Sequence, residues 1–195
     1  MTGVDYLILG AGPAGCRAAQ AIRRRDRTGR VVLITEEAVA FTNRILLSKE
    51  FLTSDDLPPE RALVLPPDSF HALGIELRTR EGVERLDPQA RSVQLKSGER
   101  IAYGKCLIAT GSRPLELPVP GFDLPAVHTL RTIEDAVALR EHARGADRAV
   151  VIGGGLIGAE IACALSLRGL HVTLVAREAW LWGHIAPESV GRAVG

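Results

Sequence analysis

Two stretches of the chain, YLILGAGPAGC at residues 6–16 and VVIGGGLIGAE at residues 150–160, carry one pattern. Each starts as an apolar run (Tyr6 to Leu9, Val150 to Ile152) that reads as a buried parallel strand, then passes through spaced glycines into an alanine-rich helix. In the first, Gly10 permits the sharp turn, Gly12 lets the backbone approach a pyrophosphate with no Cβ in the way, and Gly15 allows close helix-to-strand packing. Gly153, Gly155 and Gly158 hold the same places in the second. The free N–H groups and the dipole at each helix N-terminus attract an anion. The expected fold class is therefore α/β, with two Rossmann-like dinucleotide-binding domains built on parallel sheets.

A βαβ unit of this kind ends in a second strand whose last residue meets the adenosine ribose, about 20 residues on. The first unit has that strand, RVVLITE, and Glu36 lies 21 positions past Gly15, able to accept hydrogen bonds from ribose hydroxyls. The second has HVTLVAR, but the position 18 past Gly158 is Ala176, followed by Arg177. Losing the acid removes an acceptor for a 2′-hydroxyl, and Arg177 offers a partner for a 2′-phosphate. That pattern favours NADPH over NADH, on one arginine in an arginine-rich chain.

Composition narrows the classes further. With 195 residues, 46% hydrophobic content and a net charge of +1, the chain suits a globular protein of one or two domains. Near-neutral charge gives no reason to expect nucleic acid or an anionic membrane as partner. The apolar stretch around residues 149–167 is broken by glycines and Glu160, so no membrane span is needed, and the N-terminus enters a strand at once, which reads as no signal peptide. A cytoplasmic location is expected. Cys16, Cys106 and Cys163 form no CxxC or CxxxxC pair and read as small core residues, and the five histidines show no metal-ligand spacing. Basic residues are 21 arginines against 3 lysines, which draws attention to Lys49.

Between the two glycine turns, FTNRILLSKEFL reads as a loop and short helix, followed by the proline-rich LPPERALVLPPDSF. From Ile75 the pattern turns to short strands (IELRTR, GVERLD, RSVQLKSGERIAY), read as a small antiparallel β insertion with a hairpin at Lys96 to Gly98. KCLIATGSRP then reads as another buried strand ending at Thr110 and Gly111. The proline-dense RPLELPVPGFDLP is a linker, and TIEDAVALREHARG opens with a capping box at Thr132 and Asp135, hence a helix. The expected domains are residues 1–114, a linker at 115–121, and residues 122–195, with one dinucleotide site expected in each domain. The second unit stops about 20 residues after HVTLVAR, short of a whole dinucleotide domain, so the chain reads as part of a longer protein.

Taken in order, GAGPAG, NRILLSKEFL, CLIATGSRP, LRTIEDA and GGGLIGAE resemble the FAD- and NAD(P)H-dependent pyridine nucleotide-disulfide oxidoreductases, within them the ferredoxin-reductase-like branch. Single-cysteine relatives carry their nucleophile on the loop after the ribose acid, where this chain has Arg44; a guanidinium cannot replace a thiolate. The ferredoxin-reductase-like pattern Arg-Pro-x-Leu-Ser-Lys is kept in RILLSK except for Ile45 in place of proline. The resemblance implies FAD contacts at Gly10, Gly12, Pro13, Ala14 and Gly15 (pyrophosphate), Glu36 (ribose), Val83 (adenine, through its backbone) and Ala109, Thr110 and Gly111 (closing turn). It implies further that Arg44, Lys49 and Arg131 flank the FAD, and that Gly153, Gly155, Ile157, Gly158, Glu160 and Arg177 meet NAD(P)H.

Hydride transfer between these cofactors is their own chemistry; the protein stacks them and tunes the charge near flavin N5. The resemblance implies that Lys49 lies near N5 and pairs with Glu160 as the catalytic pair, each keeping the other charged. The alternative is a Lys49 on a solvated helix and a Glu160 favoured by the helix dipole. The implied activity is an FAD-dependent NAD(P)H oxidoreductase passing electrons to a ferredoxin-like, rubredoxin-like or other small iron–sulfur acceptor. Two alternatives stay open: a coenzyme A-disulfide or NAD(P)H oxidase relative lacking its cysteine, and a redox-responsive binding module resembling apoptosis-inducing factor.

Overall fold

In the computed structural model, which describes residues 2–194, the first apolar run is strand β1 (Thr2–Leu9). Helix α1 (Pro13–Arg25) and strand β2 (Val31–Ile34) complete the first βαβ unit, with β1 and β2 parallel. All four residues of β2 are buried, as expected of a strand covered on both faces. Strands β3 (Ile75–Arg78), β4 (Val83–Asp87), β5 (Ser92–Leu95) and β6 (Arg100–Ile108) extend the sheet to six, in the order β3-β2-β1-β6-β5-β4. The period-2 alternation of β1 splits its side chains between two cores. Ile8 packs with Cys16, Leu33, Phe70 and Ile75 on one face, and Leu7 and Leu9 pack with Val32, Ile34, Leu95 and Ile101 on the other.

Two strand readings change. Residues 75–78 are not part of the antiparallel insertion: β3 pairs parallel with β2, because Ile75 and Leu77 pack into the same core as Val31 and Leu33. Only β4, β5 and the start of β6 are antiparallel to one another. The hairpin strand and the KCLI strand are one element, since β6 runs unbroken beside β1 from Ile101 to Ile108; at Gly104 a Cβ would stand 2.9 Å from the Asp5 carbonyl oxygen. The hairpin turns where expected, with Gly98 at φ +88° and its N–H donating to the Leu95 carbonyl.

By their contacts, residues 1–42 and 63–113 form one unit, and residues 43–62 join 114–195 in the other. The second unit contains α2 (Arg44–Leu47), α3 (Glu50–Thr53), α5 (Ile133–Arg144), β7 (Arg148–Ile152), α6 (Leu156–Leu167), β8 (His171–Val175) and α7 (Glu188–Val194); α4 (Asp68–Ala72) lies in the first. Strands β7 and β8 are parallel, and Val151 packs with Leu52, Ala143, Ala164, Leu165 and Leu170. Val150 and Ile152, expected to be buried, are each 65% exposed, because among the described residues nothing of this unit covers that face of the two-stranded sheet. Leu107 and Ile108 at the end of β6 are exposed too. Of the three cysteines Cys16 is buried in the core, Cys106 lies part-buried within β6, and Cys163 stands exposed on α6, a helix apolar on its outward side as well as its inward one. The expected capping box opens α5: the Asp135 N–H donates to Thr132 Oγ1, and Asp135 Oδ2 accepts from the Thr132 N–H.

The segment 43–62 is tied into its unit by Arg140, only 6% exposed. Its guanidinium lies 4.2 Å from the Phe51 ring centroid and donates to the carbonyls of Ser54 (3.2 Å) and Leu57 (2.8 Å). Replacing Arg140 by alanine strands two carbonyls and removes the packing of the guanidinium on Phe51. We expect a loss of about 2–4 kcal/mol, seen as a lower urea midpoint, with residues 43–62 becoming protease-sensitive.

Candidate functional site

Each glycine turn separates what the chain demands from what it leaves free. A Cβ on Gly10, at φ +105°, would overlap the Ala109 carbonyl, and one on Gly15 would overlap the Gly10 carbonyl. A Cβ on Gly12 would meet no protein atom within 4 Å. The first and third glycines are thus required by the chain's own packing, and the middle one leaves its outer face open. The second turn is similar, except that Gly153 is required by its φ of +119° and not by packing: a Cβ on Gly158 would overlap the Gly153 carbonyl, and one on Gly155 would meet only His184 Cε1 at 4.0 Å. Gly12 and Gly155 are also the N-caps of α1 and α6, neither helix having a side-chain cap, and Pro13 opens α1. Two free N-terminal amide clusters behind open glycines fit the pyrophosphates of two dinucleotides.

Around the first cradle the structure gathers several predicted residues. Ala109 N–H donates to the Leu9 carbonyl at 2.7 Å, which holds Ala109–Gly111 beside Gly10, and Gly111 has φ +72°. Glu36, at the end of β2's unit, lines a cavity of about 360 Å³ together with Arg80, Gly82, Leu95 and Lys96, next to Val83 at the start of β4. Lys96 Nζ lies 2.6 Å from Glu36 Oε1, both side chains being well exposed. This partner was not singled out in the sequence: it comes from a hairpin 60 residues away and has no motif of its own.

The second unit brings Lys49 and Glu160 together, Nζ to Oε1 at 3.2 Å, with the side chains 48% and 34% exposed. Lys49 sits at the break between two one-turn helices, α2 and α3, whose Leu47, Phe51 and Leu52 are buried anchors. Ser48, also missed by the sequence reading, donates its hydroxyl to Glu160 Oε2 at 2.5 Å. The Ser48 hydroxyl chiefly, and Lys49 after it, hold the Glu160 carboxyl below its ordinary range. Arg44 and Arg131 also meet: the Arg44 guanidinium donates to the Arg131 carbonyl, while the Arg131 N–H donates to Asp135. Ile157 lies exposed in the first turn of α6. Arg177 is 94% exposed, its guanidinium 3.3 Å from Glu178, whose carboxyl is held below its ordinary range by its own backbone N–H and then by Arg177. Gly154 and Ala176 pack closely: a Cβ on Gly154 would stand 2.7 Å from that of Ala176.

Among the described residues no three His, Cys, Asp or Glu side chains could hold a metal ion, and no helix is long and apolar enough to cross a membrane. Burial pushes the Cys16 thiol up to about 12 and raises that of Cys106, which suits packing rather than nucleophilic attack. A cavity of about 760 Å³ lined by Asp55, Arg144, Arg148, Arg168 and His171 sits at the N-terminal ends of β7 and β8. Dinucleotides bind at the opposite, carboxyl ends of parallel strands, so this cavity is not a cofactor site.

The sequence profile of the family described as "Pyridine nucleotide-disulphide oxidoreductase" matches residues 4–194. The chain is 35% identical over 168 residues to the biphenyl dioxygenase system ferredoxin–NAD(+) reductase component of Paraburkholderia xenovorans (strain LB400), covering 86% of this chain and 41% of that protein. It is 36% identical over 190 residues to apoptosis-inducing factor 3 of Mus musculus, covering 97% and 31% respectively. Among solved structures, the covalent putidaredoxin reductase–putidaredoxin complex matches with a TM-score of 0.91 at 29% identity, covering all of this chain and 47% of that one. The chain thus spans less than half the length of these relatives.

The two kinds of glycine separate in experiment. Gly15→Ala is expected to cost about 2–3 kcal/mol through overpacking, lowering Tm by roughly 5–10 °C. Gly12→Ala is expected to lower Tm far less while weakening FAD binding at least about tenfold. Calorimetry and flavin-fluorescence titration of the two variants check both; equal stability losses would refute the division.

Proposed function

Because the chain belongs to the pyridine nucleotide-disulphide oxidoreductase family, we propose that its protein is an FAD-dependent oxidoreductase that accepts hydride from a nicotinamide dinucleotide and passes electrons to a small iron–sulfur protein. The observation that carries this reading is the pair of anion cradles of one geometry, each with a middle glycine that no protein contact requires. In this reading residues 1–114 hold FAD, with Gly10 to Gly15 at its pyrophosphate, Glu36 at the ribose, Val83 at adenine and Ala109 to Gly111 at the closing turn. Arg44, Lys49 and Arg131 add contacts to FAD. Residues 122–195 hold the nicotinamide dinucleotide through Gly153, Gly155, Ile157, Gly158, Glu160 and Arg177. A cytoplasmic location goes with the same reading.

When bound, the flavin supplies the hydride acceptor and the nicotinamide the donor. The chain's part is to fix the pyrophosphates on two helix N-termini and to hold a lysine ammonium against a carboxylate. Lys49 offers the positive charge that an electron-rich flavin calls for, and Glu160 lies against that ammonium as its counter-charge. For the choice of nicotinamide we read NADH. The Paraburkholderia relative carries NAD(+) in its name, and Arg177, which argued for a 2′-phosphate, shares its guanidinium with Glu178. The acceptor reading draws on the ferredoxin in that same name and on the putidaredoxin complex.

The likeness to apoptosis-inducing factor 3 supports a second reading, a redox-responsive module with slow turnover. A steady-state assay of the full-length protein with a dye acceptor separates them: fast turnover supports the enzyme, long-lived reduced flavin the module. In rapid-mixing experiments on the FAD-loaded full-length protein, Lys49→Ala and Glu160→Ala are expected to slow flavin reduction by about 10- to 100-fold. Unchanged rates in both would remove the pair from the mechanism. The full-length enzyme is expected to show a higher kcat/KM for NADH than for NADPH, and the reverse order would return the preference to the 2′-phosphate.

A further inference from the structure

One buried hydroxyl beside the Lys49–Glu160 pair has no part in the reading above. Ser48 closes helix α2 and is 4% exposed. A serine at a helix end ordinarily satisfies its hydroxyl locally, on a carbonyl one turn back. Here the hydroxyl instead donates to Glu160 Oε2 at 2.5 Å, across 112 residues of sequence, while Lys49 Nζ takes Oε1 at 3.2 Å. Consecutive residues of one short segment therefore occupy the two oxygens of one carboxylate.

The two contacts differ in what they can fix. Lys49 reaches Glu160 along a flexible four-carbon stem with about half its side chain in water, and exposed ion pairs of that kind hold little geometry. Ser48 has a single rotor, is enclosed, and gives a charge-assisted hydrogen bond, which is short and directional. We propose that Ser48 is a positioning residue whose hydroxyl fixes the Glu160 carboxylate and so presents its other oxygen to Lys49. This rests on the reading that the Lys49–Glu160 pair serves hydride transfer. The segment that carries Ser48 is itself held from two sides: Leu47, Phe51 and Leu52 are buried, and Arg168 donates to the Leu52 carbonyl at 3.1 Å. The lowered titration of Glu160 agrees with the assignment, the Ser48 bond being its largest cause.

The sign of the effect follows. A hydrogen bond donated to the carboxylate favours the charged form, so its removal raises the pH at which Glu160 protonates. In full-length Ser48→Ala, a ¹³C-detected titration of the Glu160 carboxyl should move upward, toward the ordinary glutamate value. The acid limb of the flavin-reduction rate should move to higher pH with it, and the rate at neutral pH should fall about fivefold. Ser48→Thr keeps the hydroxyl and should restore the titration; near-UV circular dichroism checks that both variants are folded. A Glu160 titration unmoved in folded Ser48→Ala overturns the assignment. Failure of the underlying reading looks different: flat reduction rates in Lys49→Ala and Glu160→Ala, with the carboxyl titration still responding to Ser48.

Discussion

The closest approach in each glycine turn is that of the third glycine to the carbonyl of the first, Gly15 to Gly10 and Gly158 to Gly153. No side chain fits between them. That contact starts each helix directly against the end of its strand, so the first free amides of α1 and α6 point past the strand ends rather than into a core. What is proposed for the two pyrophosphates follows from this placement. The positions of Glu36 and of Ala109–Gly111 follow too, because β2 and β6 flank β1 in register and end where it ends.

A second constraint is the arginine set that holds residues 43–62. Arg140 is buried on Phe51, and Arg168 bridges the Leu52 carbonyl and Asp55, the latter at 2.7 Å. Arg144 reaches Asp55 at 3.2 Å. A guanidinium suits this work because its planar fork donates to carbonyls and carboxylates at once and stacks on an aromatic face. The bonds to backbone carbonyls matter more than the exposed part of the Asp55 network, since partly solvated ion pairs contribute little. The result is that two one-turn helices, too short to be stable alone, hold Ser48 and Lys49 at a fixed place beside α6.

What the sequence made legible was local. The glycine turns, the Thr132–Asp135 capping box and the hairpin at Gly98 are each decided within a few residues by backbone conformation or a neighbouring side chain, and each stands where it was read. Lys49–Glu160 was legible only through resemblance, since 111 residues separate them. Ser48 stood inside the Leu-Ser-Lys pattern and Lys96 inside the hairpin, but their partners were not legible: only the folded chain shows which carboxylate each meets. The pairing of β3 with β2 was missed because a four-residue strand alternates alike in parallel and antiparallel sheets; its direction is set by the core that Ile75 and Leu77 enter.

The helix termini separate structural from functional chemistry. Helix α5 neutralises its own N-terminus, with Glu134 and Asp135 in the first turn and a complete capping box. Helices α1 and α6 have no acid in the first turn and no side-chain cap. A chain with 23 acidic residues could have supplied such a cap, and leaving one out costs a helix about 1 kcal/mol. Glu160, one turn into α6, is the nearest carboxylate along that helix, and Ser48 and Lys49 occupy both its oxygens, so its charge is turned aside from the free amides. A dinucleotide pyrophosphate is the anion proposed to make good the deficit at both helices. Among the helices of twelve residues or more, that the same omission occurs in both turns, and not in α5, is the physical reason to propose two nucleotides for one chain.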